Sequence, residues 1–244
     1  MSSPRELGQT PGAPVTAAQS ETRRDALAVF TLLAGASLVC VALVFARIAY
    51  SGTSQYRFLL WNLLLAWVPL LLAAAIYRLT SREGGVSWAL LAPAGLVWLL
   101  FFPNAPYLLT DFLHFLEAGN GVPAWYDLLL FGWFAWTGFL LGFAALVPVQ
   151  AAISRKWGRT AGWAAVVVVI VLASVGVYIG RFLHWNSWDV ISSPGATIDS
   201  IAEGVGRPLK LFAFTMLFSA LFLLVYAASR ALSRLARDAS RRPE

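Results

Sequence analysis

Long apolar stretches alternate with short polar segments along the chain, and nearly all charged residues lie in the polar segments. Six apolar stretches can be traced: Ala26–Ala46, Phe58–Tyr77, Trp88–Phe102, Asp127–Val149, Ala161–Ile179 and Leu211–Ala228. Most are close to the roughly 20 residues that an α-helix needs to cross a hydrocarbon core of about 30 Å. The pattern therefore predicts an all-α transmembrane helix bundle with about six spans.

The composition agrees with a protein that is surrounded by lipid. Of the 244 residues, 59% are hydrophobic and only 12% are charged, whereas a soluble domain carries about 25% charged residues. Six spans leave room only for loops and tails. We therefore expect a disordered N-terminal tail at 1–22, a single membrane domain at 23–229 and a basic C-terminal tail at 230–244. The single cysteine, Cys40, lies in span one, which excludes an intrachain disulfide and a cysteine-based zinc site.

Arginine and lysine are distributed unevenly between the two sides of the bundle. If both termini are cytoplasmic, only five of the 18 basic residues lie outside: Arg47, Arg57, Arg181, Arg207 and Lys210. Cytoplasmic loops carry an excess of Lys and Arg, so this orientation is the expected one. We predict a multi-pass protein of a cytoplasmic membrane with both termini in the cytoplasm.

The same distribution accounts for the net charge of +6. The basic C-terminal tail is expected either to act as a stop-transfer cluster or to bind anionic lipid at the membrane surface. No basic face interleaved with stacking aromatic residues indicates a nucleic-acid partner. The sequence indicates no particular protein partner.

With this topology, the less common polar side chains gather at the outer face. The candidate ligand-binding residues are Asn62, Asn104, Tyr107, Asp111, Asp127, Arg181 and Asn186. A charge at mid-depth in hydrocarbon costs at least about 2.5–3.5 kcal/mol, so a buried Arg181 needs an acidic partner. Asp111, Asp127 and Asp189 are available, and we expect the Asp111–Arg181 pair.

The segment after span three has a regular spacing of polar residues. Asn104, Tyr107, Asp111 and His114 stand at i, i+3, i+7 and i+10, which is one stripe of a continuous helix. Pro103 and Pro106 interrupt this stripe. We expect a break after Phe102 and a short helix that lies in or dips into the outer interface, with Asn104 as its N-cap.

Pairs of glycines four residues apart occur in two spans. Gly138 and Gly142 lie in span four, and Gly176 and Gly180 lie in span five. Small residues at this spacing let neighbouring helices approach closely in membranes. We expect spans four and five to pack closely against other elements at these positions.

Three interpretations of the outer polar cluster stay open. The first is structural, with Asp127 stabilised at a helix start and Arg181 paired with an aspartate. The second is a pocket, or the mouth of a transport path, for a small polar or charged ligand. The third is metal-assisted chemistry, with a divalent ion held by Asp111, His114, His184 and Asp189. No cofactor motif or catalytic motif is present, so the sequence does not favour an enzyme.

Several polar-aromatic strings occur together in an unusual order. They are FLLWN at 58–62, FPNAPY at 102–107 followed by Thr110 and Asp111, WYD at 125–127, AWTG at 135–138 and GRFLHWNSWD at 180–189. In this order they resemble a bacterial family of integral membrane proteins known as domain of unknown function 1361. The resemblance covers about residues 30–230 and implies a multi-pass architecture in a bacterial membrane. It implies no activity, substrate or catalytic residue.

Overall fold

The computed structural model describes residues 13–80, 88–117, 121–183 and 208–240, and the elements within these ranges are helical. They are α1 (Ala13–Ser51), α2 (Phe58–Thr80), α3 (Trp88–Phe101), α4 (Asn104–Tyr107), the 3₁₀-helix η1 (Leu108–Glu117), α5 (Ala124–Phe182) and α6 (Pro208–Ser240). The predicted all-α fold is confirmed.

Five segments of the described chain are long and apolar enough to cross a membrane: Arg24–Ser51, Phe58–Arg78, Leu90–Phe115, Ala124–Phe182 and Pro208–Ala236. The fourth coincides with α5, whose 59 residues would extend about 88 Å if the helix were straight. It is instead interrupted at Gly158, where φ is 88° and ψ is 166°, a conformation that glycine adopts without strain. The interruption divides α5 into two arms, residues 124–157 and 159–182. With the two arms counted separately, the number of membrane-spanning segments is consistent with about six.

The two arms of α5 form a hairpin. Just after the turn, a Cβ atom on Gly162 would collide with the Ser154 hydroxyl and lie 3.2 Å from the carbonyl oxygen of Gln150. The arms are therefore in close contact where the second one begins. This hairpin returns Arg181, near the end of α5, to the end of the bundle that holds Asp127 in its first turn. We call this end of the bundle the polar end.

The first arm of α5 is at the centre of the packing. On one side its Leu130, Phe131 and Phe134 are buried in a cluster shared with α1 and α2. On the other side Phe139 and Phe143 belong to a second cluster that includes α6. Many large apolar side chains on the outer faces of the helices are exposed, as expected where lipid rather than water covers the protein.

Glycines allow the closest approaches in the bundle. A Cβ atom on Gly138 would collide with the carbonyl oxygen of Ala105 in α4, and one on Gly142 would lie 3.1 Å from the Phe222 ring of α6. In the second arm, a Cβ atom on Gly176 would lie 2.7 Å from Cγ of Pro103. The close packing expected at the glycine pairs is present at Gly138, Gly142 and Gly176.

The predicted break after span three is present, and its cause is local. Phe102 precedes a proline, which disfavours helical geometry at that residue, and α3 ends at Phe101. The short helix that follows is α4, which η1 continues. Ala105, Leu108 and Asp111 are fully buried, so the segment dips into the bundle.

Two further expectations differ from the structure in detail. Asn104 is not the N-cap of α4, because that position is Pro103. The Asn104 amide nitrogen instead donates to the carbonyl oxygen of Phe101 at 2.9 Å, where it satisfies a carbonyl at the end of α3. Helix α1 begins at Ala13, within the segment 1–22 for which a disordered tail is predicted. Good helix formers such as Ala17, Ala18 and Glu21 favour this earlier start.

Candidate functional site

Asp127 and Arg47 form a buried ion pair at the polar end. Arg47 Nε donates to Oδ1 of Asp127 at 2.7 Å, and Arg47 Nη2 donates to Oδ2 at 3.1 Å. The two side chains are 1% and 0% exposed. This two-point geometry is the strongest form of an arginine–carboxylate contact. It joins the end of α1 to the first turn of α5.

Aromatic side chains enclose this pair. The Arg47 guanidinium carbon lies 4.1 Å from the centre of the Tyr56 ring, a cation–π distance. The Tyr56 hydroxyl donates to the carbonyl oxygen of His114 at 3.2 Å. The Tyr126 hydroxyl donates to the carbonyl oxygen of Leu43 at 2.8 Å. The pair is thus tied into α1, η1 and the start of α5.

Asp111 is the centre of a second buried polar contact. It is fully buried in η1, and its Oδ2 accepts a hydrogen bond of 3.0 Å from the Asn62 amide nitrogen. Its Oδ1 accepts a contact of 3.4 Å from Arg181 Nη1. The expected Asp111–Arg181 pair is therefore present. It is longer than the Arg47–Asp127 pair and involves one nitrogen instead of two.

A cleft of about 380 Å³ lies beside the Asp111–Arg181 pair. Its walls come from α2, α3, α4 and the second arm of α5, and three predicted residues line it: Asn62, Asn104 and Tyr107. The other lining residues in the described part of the chain are apolar side chains and glycines, with no charged side chain among them. Tyr107 also connects the cleft to the ion pair, because the Arg181 guanidinium carbon lies 6.0 Å from its ring centre.

The predicted ligand-binding residues thus fall into three groups. Asn62, Asn104 and Tyr107 line the cleft, and Asp111 and Arg181 lie next to it. Asp127 is elsewhere, with both carboxylate oxygens bound by Arg47. Asn186 is outside the described residues.

The predicted metal ligands are not brought together in the described part of the chain. There, no three His, Cys, Asp or Glu side chains cluster in a way that could hold a metal ion. The His114 ring packs 4.7 Å from the ring of Phe58. His184 and Asp189 lie outside the described ranges, so the four-ligand set stays a prediction.

The sequence does not indicate Arg47 as a site residue. The apolar stretch of span one ends at Ala46, so Arg47 has the features of an outer basic residue only. Helix α1 continues to Ser51, so Arg47 lies within the helix and faces the bundle. One signal was available: Arg47 and Asp127 are opposite charges at the same end of two apolar stretches.

The model of a family described as "protein of unknown function (DUF1361)" matches residues 61–225. The matched region contains all residues that line the cleft and both members of the Asp111–Arg181 pair. Arg47 lies outside it. No curated protein and no solved structure matches the chain significantly.

Proposed function

The chain belongs to the DUF1361 family, and we propose that this membrane protein binds a small ligand through a polar group at the cleft beside Asp111 and Arg181. The observation that carries this proposal is the cleft itself. Its volume of about 380 Å³ is within the range of about 300–1,000 Å³ for small-molecule sites. Mostly apolar walls with a few convergent polar groups are also typical of such sites.

Asp111 of the ion pair fixes the orientation of the Asn62 side chain. A carboxylate only accepts hydrogen bonds, so the Asn62 nitrogen must face Asp111. The Asn62 amide can therefore offer a ligand its carbonyl oxygen, an acceptor, and its second N–H, a donor. The Tyr107 hydroxyl makes no hydrogen bond to the described residues and can donate or accept. These two groups would position the polar part of a ligand.

A ligand screen on the purified full-length protein tests this proposal. The panel contains ions, sugars, amino acids and lipid head groups, and the readout is the melting temperature in detergent. A ligand at 100 times its Kd stabilises the folded state by about 2.7 kcal/mol, which raises the melting temperature measurably. Tyr107→Phe should reduce the response, while Tyr50→Phe, at an exposed position of α1, should not. No stabilising compound, or equal responses in both variants, would contradict the proposal.

A structural role is the second candidate, and one observation favours it for Asp127. Both of its oxygens are bound by Arg47 and neither side chain is exposed. Such a pair holds α1 against α5 with both carboxylate oxygens engaged, and only Arg47 Nη1 is left, buried and without a hydrogen-bond partner among the described residues. The structural interpretation therefore applies to this pair, while the binding proposal rests on the cleft.

Metal-assisted chemistry has less support. Asp111 would have to give a lone pair to the metal, yet its two oxygens already accept contacts from Asn62 and Arg181. Elemental analysis of untagged protein provides the test. Stoichiometric metal in the wild type that is lost in His114→Ala would support a metal site at η1.

We also propose that the protein resides in a bacterial cytoplasmic membrane with its termini in the cytoplasm and its polar end outside. Exposed Arg155, Lys156 and Arg159 surround the Gly158 turn, at the end opposite the polar end. Impermeant thiol labelling of intact cells tests the orientation on a Cys40→Ala background. Ser54→Cys, exposed at the polar end, should react. Trp157→Cys, also exposed, should react only after lysis, and the reverse pattern would contradict the orientation.

The basic C-terminal tail is the proposed contact with anionic lipid. Helix α6 continues without interruption to Ser240, and Arg234 is exposed on it. A helical basic segment at the membrane surface attracts anionic head groups, and each cation near the surface contributes about 1 kcal/mol.

A further inference from the structure

The cleft opens sideways, toward the lipid. Leu96 of α3 and Leu172 of the second arm both line it, yet they are 68% and 47% exposed. An exposed leucine in the middle of a membrane-spanning helix faces hydrocarbon. The cleft is therefore continuous with the lipid-facing surface between α3 and the second arm of α5.

The walls of the cleft form an apolar channel with a polar end. On the second arm its lining residues run from Leu172 to Gly180, a rise of about 12 Å at 1.5 Å per residue. Leucines of α3 form the facing wall. Asn62 and Tyr107 lie toward the polar end, near the start of α2 and the end of α4. Apolar walls with polar groups at one end fit an amphiphile better than a freely soluble polar solute.

Charge and size narrow the class of amphiphile. Among the described residues that line the cleft, none is charged, and Arg181 is already balanced by Asp111. A charged head group would therefore be desolvated without a partner in the lining, which is costly. The volume of about 380 Å³ equals that of about a dozen waters at roughly 30 Å³ each. This accommodates a small head group and the first part of one chain, with the rest of the chain in the bilayer.

We propose that the occupant is a single-chain membrane lipid with a small, uncharged head group that carries hydroxyls. Its hydroxyl hydrogens would bond to the Asn62 oxygen and to Tyr107, and its chain would leave between Leu96 and Leu172. This inference rests on the proposed function, since it names the ligand class for the same cleft.

Native mass spectrometry of the full-length protein in detergent tests the inference with 1-monooleoylglycerol as the probe. Oleate has the same chain with an anionic head, and glycerol has the head without the chain. We expect saturable binding of one monooleoylglycerol per protein, with weaker binding of the other two. Loss of one hydrogen bond in Tyr107→Phe should weaken binding about fivefold.

Two tryptophan variants test the lateral opening. Leu172→Trp places a larger side chain at the opening and should weaken monooleoylglycerol binding at least as much as Tyr107→Phe does. Leu217→Trp, at a lipid-exposed position of α6 that is 73% exposed, is the matched control and should bind like wild type. Unchanged melting temperatures will show that the variants are folded.

The outcomes separate the two proposals. If glycerol binds as well as monooleoylglycerol, or if Leu172→Trp has no effect while Tyr107→Phe weakens binding, the cleft binds a polar ligand and the lipid inference is overturned. If oleate binds more tightly than monooleoylglycerol, the inference that the head group is uncharged is overturned. If neither these probes nor the earlier panel binds, the proposed function itself fails.

Discussion

Two arginine–aspartate pairs lie at the same end of the bundle, and they differ in distance, in the number of contacts and in exposure. Arg47 contacts Asp127 through two nitrogens at 2.7 and 3.1 Å, whereas Arg181 contacts Asp111 through one nitrogen at 3.4 Å. Arg47 is 1% exposed and Arg181 is 10% exposed. The first pair is closed and the second adjoins a cleft.

The difference shows how one chemical pair can have two roles. A closed pair with both oxygens bound holds two helices together. A looser pair leaves neighbouring groups such as Asn62 and Tyr107 oriented beside an open space. Geometry around the pair, more than the identity of its residues, distinguishes a structural contact from part of a binding site.

The largest effect is expected at the closed pair. Arg47→Met leaves the Asp127 carboxylate buried without a partner, and breaking such a pair costs about 3–5 kcal/mol. The free energy of unfolding in detergent measures this loss. Arg57→Met, at an exposed arginine of the same end, is the control and should change stability by less than about 0.5 kcal/mol. Equal losses in the two variants would show that Arg47 is not tied to Asp127.

A smaller effect is expected at the loose pair. Arg181→Met removes one charged contact, which is worth about 1.5–3 kcal/mol, and Asp111 keeps its hydrogen bond from Asn62. Adding Asp111→Asn should recover part of the stability, because the buried charge is removed. A loss as large as that of Arg47→Met, or no recovery in the double variant, would contradict the difference between the pairs.

A glycine substitution can displace α4 and η1, which carry Tyr107 and Asp111. A Cβ atom on Gly138 would meet the backbone of Ala105 and the side chain of Leu108, so Gly138→Ala must shift α4 and η1. Overpacking of this kind costs about 1–3 kcal/mol. Gly132→Ala is the matched control in the same helix, because its nearest neighbour would be the Phe112 ring at 4.0 Å. Equal stability and equal ligand response in both variants would indicate that α4 is not held tightly here.

The sequence predicts the spans well because apolar length is a property of each segment alone. The stretch predicted at Phe58–Tyr77 is seen as Phe58–Thr80, and the break after span three follows from its prolines. The Asp111–Arg181 pair is also predictable, since few opposite charges are available near Arg181.

Other features depend on how the helices are rotated against each other. In the sequence, Arg47 resembles any basic residue that follows the end of a span. Only the packing of α1 on α5 shows that it is buried. Likewise, the periodicity of Leu96 and Leu172 does not reveal that they flank an opening. The sequence also does not show that Asp127 pairs with Arg47 instead of facing a ligand, because the two residues are 80 positions apart in the chain.

The contrast between the pairs can be tested by one side-by-side measurement of ligand response. The compound that stabilises wild type most is added to Arg47→Met and to Arg181→Met, and the shift in melting temperature is recorded for each. We predict that Arg47→Met, although less stable, keeps the wild-type shift, and that Arg181→Met loses most of it. If Arg47→Met loses the shift and Arg181→Met keeps it, the ligand binds near the Arg47–Asp127 pair, which would contradict the account.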